Sequence, residues 1–147
     1  MAQQNHHYQF DAALELRDAG LITASAASLV DSAAKILDLG AGSYVEGVVV
    51  VDFVTIEVAT GNEKLEIEWQ LSSVADFSTA SLVFCASVLK VGDSSVNGSG
   101  IDTVAGRYTL RVSNEFNGTV YRYARLYERY TGTIDTGYSF KAFLAVQ

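Results

Sequence analysis

Acid–base or nucleophilic catalysis needs an ordered base beside the reacting group. The only two histidines, His6 and His7, are adjacent in a polar N-terminal stretch. Neighbouring residues on an extended chain point to opposite sides, so this pair suits neither a metal nor a serine or cysteine nucleophile. The single cysteine, Cys85, lies between Phe84 and Ala86 and is expected to be a small buried apolar residue. One cysteine also excludes an internal disulfide and any two- or four-cysteine zinc site. Glu66 and Glu68 share one face of a strand, roughly 7 Å apart by strand geometry. With Lys64 and Gln70 beside them, they read as a solvated face rather than a glycosidase pair. Asp93 and Asp102 flank a glycine-rich loop whose spacing fits no calcium-loop pattern. Gly40-Ala41-Gly42-Ser43 runs into a strand and lacks the helix N-terminus that cradles phosphate. Asn97-Gly98-Ser99 and Asn117-Gly118-Thr119 match the glycosylation pattern but read as turns. These residues lead us to expect a protein that is not an enzyme, with no catalytic residue, cofactor or metal.

A different chemistry gathers near the C-terminal end. Tyr121, Tyr123, Arg125, Tyr127 and Arg129 alternate along one expected strand, and Arg107 and Arg111, on the strand before it, are expected to join them. Tyrosine and arginine are enriched at protein interfaces. Such strips can also stack RNA bases. The charge distribution weighs against nucleic acid, which favours a broad basic face. Residues 1–106 hold fourteen acids and four bases, whereas residues 107–147 hold three acids and six bases. An acidic body with a local arginine cluster suits an acidic protein partner, including other copies of the chain. The seven Arg and Tyr residues are therefore the candidate interface.

These residues need a frame to hold them, and the hydropathy pattern describes a sheet. Val48–Val58 is β-branched and aromatic, and Leu65, Ile67, Trp69 and Leu71 alternate strictly with Lys64, Glu66, Glu68 and Gln70. The two segments, joined through Gly61-Asn62, are expected to pair as a hairpin. Ser81–Leu89 is apolar on both faces and is expected to be a central strand. Arg107–Val112 and Val120–Tyr130, linked by Asn117-Gly118, read as a second hairpin, and Tyr138–Val146 as the last strand. Residues 23–35, rich in Ala and Ser without a 3.6-residue stripe, read as extended chain with short β pairings. No crossover helix separates the strands, which excludes a parallel α/β sheet. The expected fold is all-β: an antiparallel β-sandwich of jelly-roll type with an extended N-terminal arm. The arm spans residues 1–17, anchored by Tyr8 and Phe10, and the sandwich domain spans residues 18–147. A chain of 147 residues can bury one core without metals or disulfides. Met1–Asn5 is polar and uncharged, and no apolar run approaches the roughly 20 residues of a membrane span, so synthesis in a cytoplasm without membrane contact is expected.

From residue 18 onward, the order of features resembles a known family. Asp18-Ala19-Gly20-Leu21-Ile22-Thr23-Ala24-Ser25-Ala26-Ala27-Ser28 leads to Ile36-Leu37-Asp38-Leu39-Gly40-Ala41-Gly42, and a valine-rich strand follows. Next come Glu68-Trp69-Gln70-Leu71-Ser72-Ser73, Ala75-Asp76-Phe77-Ser78 and Tyr123-Ala124-Arg125-Leu126-Tyr127, then a last strand ending Ala142-Phe143-Leu144-Ala145-Val146. This order is similar to that of the capsid cement, or decoration, proteins of tailed bacteriophages. The resemblance implies a jelly-roll-like sandwich on the outer surface of an icosahedral phage head. It also implies a structural role: bridging major capsid protein subunits, with homo-oligomers (dimer or trimer) expected and no catalytic residues. The alternative is a carbohydrate- or receptor-binding jelly-roll module of a phage tail. Sugar binding wants an exposed aromatic platform, and the alternation puts Trp69, the only tryptophan, inside.

Overall fold

A computed structural model describes residues 10–146. After a short 3-10 turn at Ala12–Leu14 come six short strands: β1 (Glu15–Arg17), β2 (Leu21–Ile22), β3 (Ala26–Ala27), β4 (Leu29–Val30), β5 (Ala33–Ala34) and β6 (Leu37–Asp38). The long strands β7 (Glu46–Thr55), β8 (Lys64–Ser72), β9 (Val83–Gly92) and β10 (Gly106–Ser113) follow. A two-strand ladder, β11 (Glu115–Phe116) and β12 (Thr119–Val120), leads to β13 (Tyr123–Thr131) and β14 (Tyr138–Val146). The Ala/Ser-rich stretch is extended with short pairings, as its lack of helical periodicity predicts.

All pairings are antiparallel, and they build two five-stranded sheets. The first runs β1–β14–β7–β10, with β2 also on β14. The second runs β3–β13–β8–β9, with β6 also on β13. The pairing is nested. The outermost segments β1 and β2 meet the last strand, β3 and β6 meet the next to last, β7 meets β10, and β8 meets β9.

The two sheets pack face to face as a β-sandwich. Val49, Val51, Phe53, Phe140, Ala142 and Leu144 of the first sheet share one core with Leu65, Ile67, Trp69, Leu71, Ala124 and Leu126 of the second. Strand periodicity of two selects these inward positions. Trp69 is buried as expected, and its indole Nε1–H donates across the sandwich to the Ser113 carbonyl at 2.9 Å. On the other face of the first sheet, Val48, Val50, Phe143 and Ala145 form a second small buried cluster. This double-sided burial explains why Val48–Val51 reads as an unbroken apolar run.

Four expectations need correction. The β7 and β8 segments are not a hairpin: β7 pairs with β10 and β14, and β8 with β9 and β13, in opposite sheets. A turn signal marks a reversal of the chain but does not decide whether the next strand stays in the sheet or crosses the core. For the same reason β10 and β13 do not pair. The Asn117-Gly118 turn is real, with Asn117 at φ 50° and Gly118 at φ 79°, but it closes only the small β11–β12 ladder. β9 is an edge strand rather than a central one. The arm boundary at residue 17 falls inside the sandwich, because Glu15 and Arg17 pair with β14 and Leu16 is fully buried in the core.

Carboxylates and glycines tie the loops to this frame. Glu57, just past β7, accepts hydrogen bonds from the amides of Asp135, Thr136 and Gly137. Gly137 has φ 83°, and a Cβ there would run into the Ile22 carbonyl oxygen, so only glycine serves. The Glu63 carboxylate accepts from the Thr60, Gly61 and Asn62 amides and the Thr60 hydroxyl at 2.6–3.0 Å. Burial works to raise the Glu63 carboxyl, but these hydrogen bonds outweigh it and hold the pKa at about 2.

Candidate protein-binding face

The alternation of β13 sends Ala124, Leu126 and Glu128 inward and Tyr123, Arg125, Tyr127 and Arg129 outward. The register places Tyr127 opposite Glu68, Arg125 opposite Gln70 and Arg129 opposite Glu66 on β8. Arg129 reaches diagonally to Glu68, donating Nε to Oε1 at 2.7 Å and Nη2 to Oε2 at 3.3 Å. Gln70 donates its amide to Glu68 Oε2 at 2.7 Å and accepts from Arg125 Nε at 2.9 Å. The Arg125 guanidinium lies 4.4 Å over the Phe77 ring, and the Tyr127 ring sits between Arg125 and Arg129, each 5.3 Å away. Two cations flanking one π-face, with carboxylate and amide beneath, make a cross-linked planar lattice.

Its electrostatics follow from these contacts. Burial works to raise the Glu68 carboxyl, but hydrogen bonds from Arg129 and Gln70 keep it below the ordinary carboxylate range. Burial lowers Arg125, while the Glu68 hydrogen bond raises Arg129. At the rim, Arg122 makes a bidentate pair with Asp38, both contacts 2.8 Å, and lies over the Tyr123 ring. That hydrogen bonding draws Asp38 down to about 2. Glu66 is bridged by Lys64 at 3.4 Å and Lys90 at 3.7 Å.

The seven candidate residues therefore divide. Tyr123, Arg125, Tyr127 and Arg129 share the outer face of the second sheet. Arg107 and Arg111 lie on β10, in the opposite sheet; Arg107 pairs with Asp52 at 2.6 and 2.8 Å. Tyr121 precedes β13, is half-buried, and packs against Phe84 at 5.2 Å. Of the two arm anchors, Phe10 is largely exposed and meets Phe143 edge-on at 5.4 Å. Tyr8, with His6 and His7, lies outside the described residues. Cys85 is exposed on the edge strand rather than buried, yet partial desolvation of the thiol by its neighbours, followed by the Glu68 charge, pushes its pKa up, away from thiolate reactivity.

The other chemistry-bearing residues have structural partners. Asp93 accepts from the Ser95 amide and hydroxyl, and Asp102 from the Ser94 amide. Among the described residues, no group of three or more His, Cys, Asp or Glu is placed to hold a metal ion. No helix among them is long and apolar enough to cross a membrane.

Two features escape a reading by composition. Arg17 and Glu128 form an ion pair at 3.3 Å in the interior, where Ser28 donates to Glu128 Oε1 at 2.5 Å and Arg17 lies over the Phe140 ring. Glu128 sits at an inward step of the β13 alternation, between Leu126 and Tyr130, and that position was its signal. Asn114 is fully buried; its amide donates to the carbonyls of Ser43 and Tyr121 and accepts from the Val45 amide. No local sequence pattern marks it.

Compared with protein-family models, curated proteins and solved structures, the chain matches none.

Proposed function

We propose that this protein is a structural virion component, a capsid decoration protein that docks on the outside of a tailed-phage head and bridges major capsid protein subunits. The observation that carries this reading is the outer face of the second sheet. It presents Tyr123, Arg125, Tyr127 and Arg129 on one plane, held in place by Glu68, Gln70 and Phe77. Side chains fixed before binding lose little rotamer freedom on contact, which favours affinity. Each guanidinium keeps donors beyond those spent on Glu68 or Gln70, and these suit carboxylates of an acidic neighbour. The same face can join copies of the chain.

Two further points support the reading. The nested antiparallel pairing of the sandwich is compatible with the jelly-roll architecture that the resembled family implies, and so supports the reading. The chain as a whole is acidic, with net charge −7, so a local cationic strip orients it on a partner. The experiment is mass spectrometry of purified virions carrying this gene, counting copies per particle. Copies numbering in proportion to capsid subunits support decoration. A handful of copies per particle would place the protein in the tail instead, and its absence would remove it from the virion.

A further inference from the structure

A second site lies at the end of the first sheet, away from the Arg–Tyr face. Tyr44, Glu46, Gly47, Ser87, Arg111, Val112 and Ser113 line a pocket of about 380 Å³. Three features give it the character of a built site. The Tyr44 side chain is largely exposed, and its hydroxyl donates to Glu46 Oε2 at 2.9 Å, which fixes both groups at the mouth. The register sets Ser113 opposite Glu46 and Arg111 opposite Val48, so Glu46 and Arg111 are diagonal neighbours on one face. They nevertheless make no ion pair, and Arg111 has no ion-pair partner among the described residues. Behind the lining, buried Asn114, next to Ser113, ties down the chain on either side of Tyr44, donating to the Ser43 carbonyl and accepting from the Val45 amide.

An acceptor and a donor that face one space without closing on each other leave room for a group that satisfies both. The lining carries one carboxylate and one guanidinium, so it is balanced in charge. That disfavours a bare anion, which Glu46 would repel, and a bare cation, which Arg111 would repel. A pair of neighbouring hydroxyls fits: one donates to Glu46 and the other accepts from Arg111, with the hydroxyls of Ser87 and Ser113 as further partners. The exposed tyrosine ring offers the apolar surface against which a sugar ring rests. The volume lies in the range of small-molecule sites and admits one or two sugar rings.

We infer that this pocket binds a neutral saccharide through vicinal hydroxyls held between Glu46 and Arg111, with the Tyr44 ring as platform. The site is independent of the docking face proposed above, and either can stand without the other.

The test is a titration of the isotope-labelled whole protein with methyl glycosides of glucose, galactose and mannose and with maltose, followed by backbone amide shifts. The expected result is saturable shifts centred on residues 44–47, 87 and 111–113 for at least one sugar, at millimolar affinity, as for a small polar contact of about −4 kcal/mol. Arg111→Ala and Glu46→Gln, both exposed and outside the core, should each weaken that sugar tenfold or more while distant amides keep their positions. Sodium sulfate serves as the anion control and should give no saturable shift there. The inference is overturned if no sugar gives saturable shifts at these residues. It is also overturned if the two variants bind like the parent, or if sulfate saturates the pocket and the sugars do not.

Discussion

The arginines of the second sheet differ in what they hold, so their substitution should separate binding from stability. Arg129 is the main cation on Glu68, which is mostly buried. Arg129→Ala leaves that carboxylate short of partners and should cost about 1–3 kcal/mol of stability in a urea melt. Arg125 bonds the neutral Gln70 and stacks on Phe77, so Arg125→Ala should cost about 1 kcal/mol or less. Arg125 and Tyr127 are thus the positions at which loss of binding can be read without loss of fold. Glu63 supplies the pH dependence at this scale. Its pKa in the folded protein, about 2, lies below the ordinary value of 4.5, so its contribution is present above that ordinary value and is lost as pH falls towards 2. Glu63→Gln replaces an acceptor that satisfies three amides and a hydroxyl, and should destabilise by about 2–3 kcal/mol at neutral pH. Melts at pH 7 and pH 3 check the sign: the gap between parent and variant should narrow at the lower pH.

The N-terminal strand is fastened to the rest by polar contacts as well as by Leu16. Arg17 on β1 and Glu128 on β13 join the two sheets through the interior, yet Arg17 Nε, Glu128 Oε2 and the Tyr130 hydroxyl have no hydrogen-bond partner there. Such a pair adds little net stability, but half of it is costly. Arg17→Met alone should destabilise by about 3–5 kcal/mol, because it strands a buried carboxylate. Arg17→Met with Glu128→Leu should recover most of that loss, and chemical denaturation of the two variants tests the coupling. At the core, Trp69→Ala should cost about 3–5 kcal/mol, since it empties a fully packed site and orphans the Ser113 carbonyl. Glu66→Ala, on the outer face, should stay within about 0.5 kcal/mol. The inward face of β8 was legible in the sequence because alternation marks Leu65, Ile67, Trp69 and Leu71. The outer face was not, since Glu68 and Gln70, expected to be solvated, are buried beneath Arg129 and Arg125. The partners of β7, β9 and β10 were not, because strand pairing is set by which sheet a connection returns to. Apolar residues on both faces of β9 suggested a central strand; its inward positions pack on the core while Val88 and Cys85 stay exposed at the edge.

At the scale of the whole molecule, the antiparallel sandwich followed from the absence of crossover helices and the many glycine turns. The nested order did not, because it depends on contacts between segments a hundred residues apart, such as Tyr127 with Ala27. The Arg–Tyr strip was legible as far as one strand reaches. Four of its members lie on one face because alternation is local. Arg107 and Arg111 fell on the other sheet because the connection after β10 crosses the core. The pocket at Tyr44 and Arg111 had no sequence signature, as its walls come from β7, β9 and β10 together. The proposed role rests on the outer face of the second sheet, and one measurement addresses it: sedimentation of the protein with undecorated phage capsids, comparing the parent with the Arg125→Ala/Tyr127→Ala variant. The predicted result is co-sedimentation of the parent at a fixed ratio to capsid subunits. The variant should lose at least tenfold in occupancy, about 1.4 kcal/mol, with its melting transition nearly unchanged. Equal occupancy of parent and folded variant, or no binding of the parent to any such capsid, would contradict the account.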